Sequence, residues 1–509
     1  MADNLKHFVI VGGGTAGWLA AATLGKALIQ SGVTITLVES PTVPTIGVGE
    51  ATIPPLITVL RDLGINLSDF MQKTDASLKL GIQFEDWHTV GQHYFHPFGQ
   101  LGRPIDGMEF FQCWLKAKSH GEGSSLMAHS PEAQLAFAGN FVEQHTGNHP
   151  LLNQAQFALH LDAGKAAEYL KTFSIALGVN FISANVTDVS LNSDNQIIQK
   201  IVLDNGHGLE GDFFIDCSGF QSLLLGHALD AEFEDWRAFL PCDRAIAVQT
   251  CHANEDNIAP FTRAIAHRAG WSWHIPLQSR MGNGIVYASQ YMSDDEALAQ
   301  LTERLSGKMI TSPRVIKFKT GVRKTVWKGN CLALGLAQGF IEPLESTAIH
   351  LVTKTLAVFL RYFPSNQIEP SLQERVNQLV FDEYLQIRDF LIAHYCFSER
   401  KDSRFWQWCQ TDMPKPNSLH KLELRFKELG SVFVANEALF QSTSWYAVLD
   451  GMKVIPSRYN GILDRFDIEK LINSLTDGAS SLARSAQQQI SHRAFLDKYC
   501  PSDKEKEND

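Results

Sequence analysis

Near its start the sequence runs Phe8-Val9-Ile10-Val11, then Gly12-Gly13-Gly14-Thr15-Ala16-Gly17, then Trp18-Leu19-Ala20-Ala21-Ala22-Thr23-Leu24, and few folds accept that order. The apolar run reads as a strand buried on both faces, followed by a turn and a helix of small residues. Glycines at 12, 14 and 17 give the tight turn, the close approach of backbone to a pyrophosphate, and the helix-to-strand contact of a dinucleotide-binding loop. A second strand-like run, Val33 to Val38, ends at Glu39, where a carboxylate can hold ribose hydroxyls. The expected fold class is α/β: a Rossmann-like, GxGxxG domain with mixed sheets that places Gly12, Gly14, Thr15, Ala16, Gly17 and Glu39 on a dinucleotide.

FAD is favoured over NAD by the loop that follows, Thr45-Ile46-Gly47-Val48-Gly49-Glu50-Ala51-Thr52-Ile53-Pro54, because glycine-rich backbone there can lie along a flavin. Phe213-Phe214-Ile215-Asp216 and Cys331-Leu332-Ala333-Leu334-Gly335 read as further strands of the same domain. The second runs on into Gly339-Phe340-Ile341-Glu342-Pro343-Leu344-Glu345-Ser346-Thr347-Ala348. Pro343 and the Ser346-Thr347 pair precede a pattern in which Ile349, Leu351, Val352, Leu356, Val358 and Phe359 recur at helical spacing, so a helix is expected to start here. Its unpaired N–H groups and positive dipole end suit an anion, the plainer alternative being a capped helix with solvated acids.

Ser77-Leu78-Lys79-Leu80-Gly81-Ile82 sets a lysine in apolar surroundings. Desolvation there frees an amine for chemistry, unless only the stem packs and the head reaches water. His96-Pro97-Phe98-Gly99 brings an imidazole and a ring together, suited to sandwiching a planar aromatic or simply to loop packing. In Trp271-Ser272-Trp273-His274-Ile275-Pro276, strand alternation puts both indoles on one face as a bulky wall. From about residue 370 helical apolar patterns take over, with Val376, Leu379, Val380, Tyr384, Ile387 and Leu391 on one face. The expected organisation is a FAD-binding and catalytic domain over 1–365, a mainly helical C-terminal region on the substrate side over 366–498, and a disordered tail over 499–509.

Composition limits the partners. A formal charge of -11 argues against nucleic acid. The 8 cysteines show no CxxC pair and no zinc-like spacing, which points to reduced thiols and no metal. A strand begins within the first residues, where a signal peptide would need room, and Lys354 and Arg361 interrupt the best apolar run. A cytoplasmic protein without membrane contact is expected.

Taken together, the GGGTAGW opening at Gly12 to Trp18, the IGVGEATIP loop from Ile46 to Pro54, Lys79, the WxWxIP run from Trp271 to Pro276 and the stretch from Phe340 to Ser346 resemble the flavin-dependent halogenases of the tryptophan-halogenase type, over essentially the full length. The resemblance implies an oxidoreductase that takes FAD as FADH2 from a separate NAD(P)H-dependent flavin reductase and uses O2 with bromide or chloride to make hypohalous acid. It implies further FAD contacts at Gly47, Val48, Gly49, Glu50, Ala51, Gly335 and Ser346, and a halide site at Thr347 and Ala348. Trp271 and Trp273 become a barrier that keeps the organic substrate from the flavin, and Lys79 the carrier of hypohalous acid. Glu345 orients the electrophile and takes the ring proton, while His96, Pro97, Phe98, Phe405 and Trp406 contact a small aromatic substrate. A homodimer is left open.

Two departures from the family pattern stand out, one in the run from His394 to Trp406 and one at Ala348. Members that bind free tryptophan carry a Tyr-Tyr pair and then a Glu ahead of Phe-Trp, whereas this chain has His394-Tyr395, then Lys401, ahead of Phe405-Trp406. A lysine repels the ammonium that the glutamate would hold, although Glu399 is close in sequence, so indole or a simple indole derivative is expected in place of tryptophan. Ala348 stands where the family usually has Gly, which keeps bromination as well as chlorination in view. The nearest rival is a flavin-dependent aromatic hydroxylase; Leu336 after Gly335, where hydroxylases often carry Asp, and the two tryptophans weigh against it. A flavin-binding redox sensor without turnover is the rival from another class.

Overall fold

A computed structural model describes residues 5–43, 50–121, 123–143, 148–194, 196–254, 257–364 and 368–501. Gly47, Val48 and Gly49 and the tail beyond residue 501 lie outside the described residues, and of Glu50 only the backbone is described. The chain forms two compact units, one of Met1–Ala76, Leu161–Asp243 and Lys317–Leu385, the other of Ser77–His160, Arg244–Ile316 and Gln386–Asp509. The partition differs from consecutive domains meeting at residue 365, because strands distant in sequence share cores.

The first unit is built on a six-stranded sheet in the order Trp327–Lys328, Cys331–Ala333, Phe213–Asp216, His7–Val11, Thr34–Glu39, Asn180–Ser183. All neighbours are parallel except the edge pair Trp327–Lys328 with Cys331–Ala333. His7–Val11 lies at the centre, and Phe8, Val9 and Ile10 are completely buried, as an unbroken apolar run in a parallel strand requires. The helix Thr15–Leu28 lies on this core through Trp18, Leu19, Ala20, Ala21 and Ala22, the alanines permitting close packing. The helix Ala348–Arg361 starts where its apolar spacing begins and buries Leu351, Val352, Leu356, Val358 and Phe359.

The second unit carries a seven-stranded sheet in the order Arg314–Lys317, Arg244–Thr250, Met281–Tyr287, Gly270–Pro276, Thr262–His267, Gly81–Glu85, His93–Pro97. Thr262–His267 and Gly81–Glu85 run parallel, while the pairs from Arg244–Thr250 through Met281–Tyr287 and Gly270–Pro276 to Thr262–His267, and Gly81–Glu85 with His93–Pro97, are antiparallel. The later part of the chain is helical: Arg404–Thr411, Asn417–Leu429, Ser442–Gly451, Ile468–Gln487 and His492–Tyr499. Ile468–Gln487 is capped by Asp467 and buries Leu471, Leu475, Ala479, Leu482 and Ala486 as one stripe. Strands do not stop altogether, since Ile490–Ser491 pairs with Asn140–Phe141; two residues are too few to show alternation in sequence. The mixed α/β class with a helical C-terminal region is therefore the fold observed. No helix among the described residues is long and apolar enough to cross a membrane.

Candidate active site

The dinucleotide loop of the first unit is shaped by contacts only glycine permits. Gly12 has φ +117°, and a Cβ there would stand 2.2 Å from the Cys217 carbonyl oxygen. A Cβ on Gly17 would stand 1.8 Å from the Gly12 oxygen, so the helix start presses directly on the loop. Gly14 is the N-cap of Thr15–Leu28, has no capping side chain, and would meet nothing within 4 Å of an added Cβ. That leaves a helix N-terminus with room in front of it, as a pyrophosphate needs. Thr15 Oγ1 donates to the Ala163 oxygen at 3.4 Å. Ala16 meets Gly335, which has φ +61° and whose Cβ would lie 2.9 Å from the Ala16 methyl.

Glu39 ends its strand beside this loop, its side chain against Gly13 and its carboxylate 3.1 Å from Lys171 Nζ. The lysine in turn lies 4.1 Å from the Phe181 ring centroid and 5.6 Å from that of Trp18. On the other side of the loop, Asp216 is fully buried and accepts from Ser218 N (3.1 Å), Ser218 Oγ (2.5 Å), Ser222 Oγ (3.4 Å), Leu224 N (3.0 Å) and Leu225 N (2.8 Å). It holds the turn whose Cys217 carbonyl touches Gly12. An open helix N-terminus, glycine-only backbone and an acid at the strand end form a donor set that fits FAD. Ala51 is half-buried at the end of the short Glu50–Ala51 strand.

In the same unit, Pro343–Glu345 forms a single 3-10 turn, and Glu345 and Thr347 are almost wholly buried. Ser346, also buried, is left-handed at φ 61°, ψ 34°, a conformation that strains a residue with a Cβ. Thr347 is the N-cap of Ala348–Arg361 and makes no side-chain cap bond. Ala348 is helical and exposed, so the backbone freedom of a glycine is not required at 348; the strained residue is Ser346.

In the second unit Lys79 is fully buried on the Ser77–Lys79 strand, paired in register with Ala158 of Ala158–Leu161. Its Nζ lies 5.2 Å from the Phe98 ring centroid. The strand is clamped on every side. Ser77 Oγ donates to the Pro276 oxygen at 2.5 Å, so the Ser77 oxygen is left to accept from His160 Nδ1 at 3.1 Å. His160 Nε2 then accepts from the Thr262 hydroxyl at 2.9 Å. The Leu78 N–H donates to His492 Nε2 at 3.1 Å, which leaves His492 Nδ1–H for the Ile258 oxygen at 2.8 Å. Both rings are thereby fixed as neutral tautomers. Burial, then the neighbouring Lys79 and His492, hold His160 well below the usual imidazole range, and burial takes His492 down to about 4.

The His96 to Phe98 run follows directly alongside. Ile82 pairs with His96, Gly81 with Pro97, and the Phe98 N–H donates to the Leu80 oxygen at 3.0 Å. His96, Pro97 and Phe98 are all buried, and the His96 ring lies 5.5 Å from that of Phe390.

Trp271 and Trp273 project from one face of Gly270–Pro276, buried, with ring centroids 6.1 Å apart. Opposite Trp273 stands Gly284, where a Cβ would come within 2.1 Å of the indole. Phe405 and Trp406 are fully buried: Trp406 Nε1 donates to the His267 oxygen at 2.6 Å, and the two rings contact Tyr395 and each other. His394 is also fully buried, with Nδ1 2.9 Å from the Phe390 oxygen, whereas Lys401 is exposed.

Lys79 and Phe98 are thus brought together, as are Glu39, Gly12, Gly17 and Gly335 with the nucleotide loop. Sequence reading missed Lys171, Asp216, His160 and His492. Asp216 had a local signal, an acid at a strand end before Ser-Gly; the others act only through partners far away in sequence.

A family model for tryptophan halogenase matches residues 7–467. The chain is 33% identical to the tryptophan 6-halogenase of Streptomyces toxytricini over 97% of this chain and 98% of that protein. It is 35% identical to the tryptophan 7-halogenase of Lentzea aerocolonigenes, over 80% and 79% respectively. Among solved structures, a flavin-dependent halogenase from Xanthomonas campestris has a TM-score of 0.93 at 40% identity, over 98% of this chain and 99% of that one. One from a Brevundimonas species has a TM-score of 0.93 at 38% identity, with the same coverage.

Proposed function

The chain belongs to the tryptophan halogenase family of flavin-dependent halogenases, and from that premise we propose that it halogenates indole or a simple indole derivative, with bromide or chloride, through Lys79. It is an enzyme that works with FAD and halide, with FADH2 supplied by a separate flavin reductase. Reduced FAD with O2 supplies the two-electron oxidation of halide to hypohalous acid. The open N-terminus at Gly14 and the carboxylate of Glu39 hold the pyrophosphate and ribose. Thr347 and Ala348 offer the halide the N–H groups at the start of Ala348–Arg361.

Lys79 then holds the hypohalous acid, by hydrogen bond or by exchanging water for an N–halogen bond. The aromatic carbon attacks the halogen, and Glu345 accepts the proton the ring loses. Trp271 and Trp273 keep the ring from the flavin, and Phe98 with His96 gives it a flat seat, backed by the Phe405 and Trp406 cluster. The observation that carries this reading is Lys79 itself, fully buried with its nitrogen over the Phe98 ring. A simple indole is favoured over tryptophan because the exposed Lys401 stands where the clamp carries a glutamate, and His394 Nδ1 lies against the Phe390 oxygen.

Purified protein with FAD, a flavin reductase and NADH would be offered indole and tryptophan in mixed bromide and chloride, and the products weighed by mass spectrometry. Halogenated indole that disappears in Lys79→Ala is the expected result. Hydroxylated product, or halogenation unaffected by Lys79→Ala, overturns the reading.

A further inference from the structure

We propose that Glu132 is a positioning residue for this reaction, fixing the Phe98-Gly99 turn and the strand partner of Lys79 in one relation so that a ring on Phe98 is presented to the amine. The inference rests on the reading of Lys79 and Phe98 given above. Glu132 sits in the first turn of Pro131–Ala138 and is fully buried. Its Oε1 accepts the Gln156 N–H at 2.9 Å, and its Oε2 accepts the Ser130 hydroxyl at 3.2 Å. The same Oε1 would lie 2.3 Å from a Cβ on Gly99, which has φ +80°, so the carboxyl rests against bare backbone.

Both contacts lead to neighbours of Lys79. Gln156 leads into the strand in which Ala158 is the register partner of Lys79. Gly99 follows Phe98, whose N–H is bonded to the Leu80 oxygen and whose ring lies under the Lys79 nitrogen. One side chain therefore couples the segment that aligns the amine to the turn that seats the ring. Among the described residues no ion pair compensates the burial, which pushes the carboxyl up to about 8 against the hydrogen bonds from Gln156, its own backbone and Ser130. Near neutrality the group is mainly a neutral acid, whose role is geometric. A glutamine reproduces its shape and its acceptor oxygen; an alanine removes both.

The test uses the full chain with FAD, a flavin reductase and NADH, with indole as the varied substrate, a β-diketone trap for escaped hypohalous acid, and FAD affinity by fluorescence titration. Glu132→Ala is expected to raise KM for indole on the order of tenfold, because small misplacements of reacting groups are costly. More hypohalous acid should reach the trap while FAD affinity stays within about twofold, and Glu132→Gln should restore most of the indole KM. An unchanged indole KM in Glu132→Ala overturns the proposal. So does a loss of trap signal and FAD affinity in step with indole turnover, or a Glu132→Gln variant as impaired as Glu132→Ala. If Glu132→Ala does not fold, Glu132→Asp, too short to reach both partners, must show the same rise in KM or the proposal falls. Lys79→Ala run in parallel separates the two failures: activity kept there removes the lysine reading itself, whereas activity lost there with Glu132→Ala unaffected removes only this inference.

Discussion

Asp216→Asn should loosen the nucleotide loop without changing a side-chain volume. The buried carboxylate accepts from three backbone N–H groups and two hydroxyls, at 2.5 to 3.4 Å. An asparagine keeps one acceptor oxygen. If that oxygen faces Leu224 and Leu225, its NH2 faces the Ser218 N–H, leaving a buried donor opposite a donor, at about 1–3 kcal/mol. The surviving bonds lose their charge assistance, roughly another 1–2 kcal/mol in all. The sum is about 2–5 kcal/mol, which for a cooperative unit of a few hundred residues means a fall in melting temperature on the order of 10 °C. Because the turn it holds presses the Cys217 carbonyl against Gly12, FAD affinity should weaken as well. Scanning calorimetry and FAD fluorescence titration measure the two effects. A variant that melts within about 2 °C of the parent and binds FAD equally would refute the argument that the carboxylate organises this turn.

Gly12→Ala meets both a disfavoured φ and a carbonyl oxygen 2.2 Å away, so FAD binding should be abolished, as a fluorescence titration would show. Trp406→Phe leaves the His267 oxygen without its donor and opens a small cavity, for an expected loss of about 2–4 kcal/mol in denaturant unfolding. Acid should destabilise the strand that carries Lys79. Burial lowers His492 to about 4 from the 6.5 of a free imidazole, so the stability its neutral ring contributes is full above pH 6.5 and is lost as pH falls through 4. By linkage this is about 3 kcal/mol. His492→Gln, which can accept from Leu78 and donate to Ile258 without titrating, should flatten that part of a stability-versus-pH curve.

The elements legible in the sequence are those whose cause is local. Glycine spacing, an apolar run and an acid at the next strand end define the first strand, loop and helix, and apolar spacing marks where the helix Ala348–Arg361 follows its turn. The burial of Lys79 followed from its apolar neighbours. The parallel pairing of Thr262–His267 with Gly81–Glu85 had no local trace, since register across such a separation is set by the assembled core. The same reason hid the ring of partners around Lys79: Ser77, His160, Thr262 and His492 meet only in three dimensions. Phe405-Trp406 was legible as an aromatic pair, but letters alone do not distinguish a ring that faces a cavity from one that closes a core. At Ala348 the alanine was visible in sequence, whereas the left-handed residue is Ser346, a backbone property that composition does not encode.

The interleaving of the two compact units imposes an order on synthesis. The central strand His7–Val11 pairs with Phe213–Asp216, and the His7 N–H donates to the carboxylate of Asp212, 205 positions later. At roughly 5–20 residues per second that partner emerges some 10–40 s after the strand itself. The unit is complete only when Lys317–Leu385 has been made. An apolar strand with an unpaired edge must therefore wait on the ribosome, exposed to pairing with other chains. Neither unit can be isolated by cutting the chain once, and a chimera between relatives that is to keep one core intact must exchange all three of its segments together.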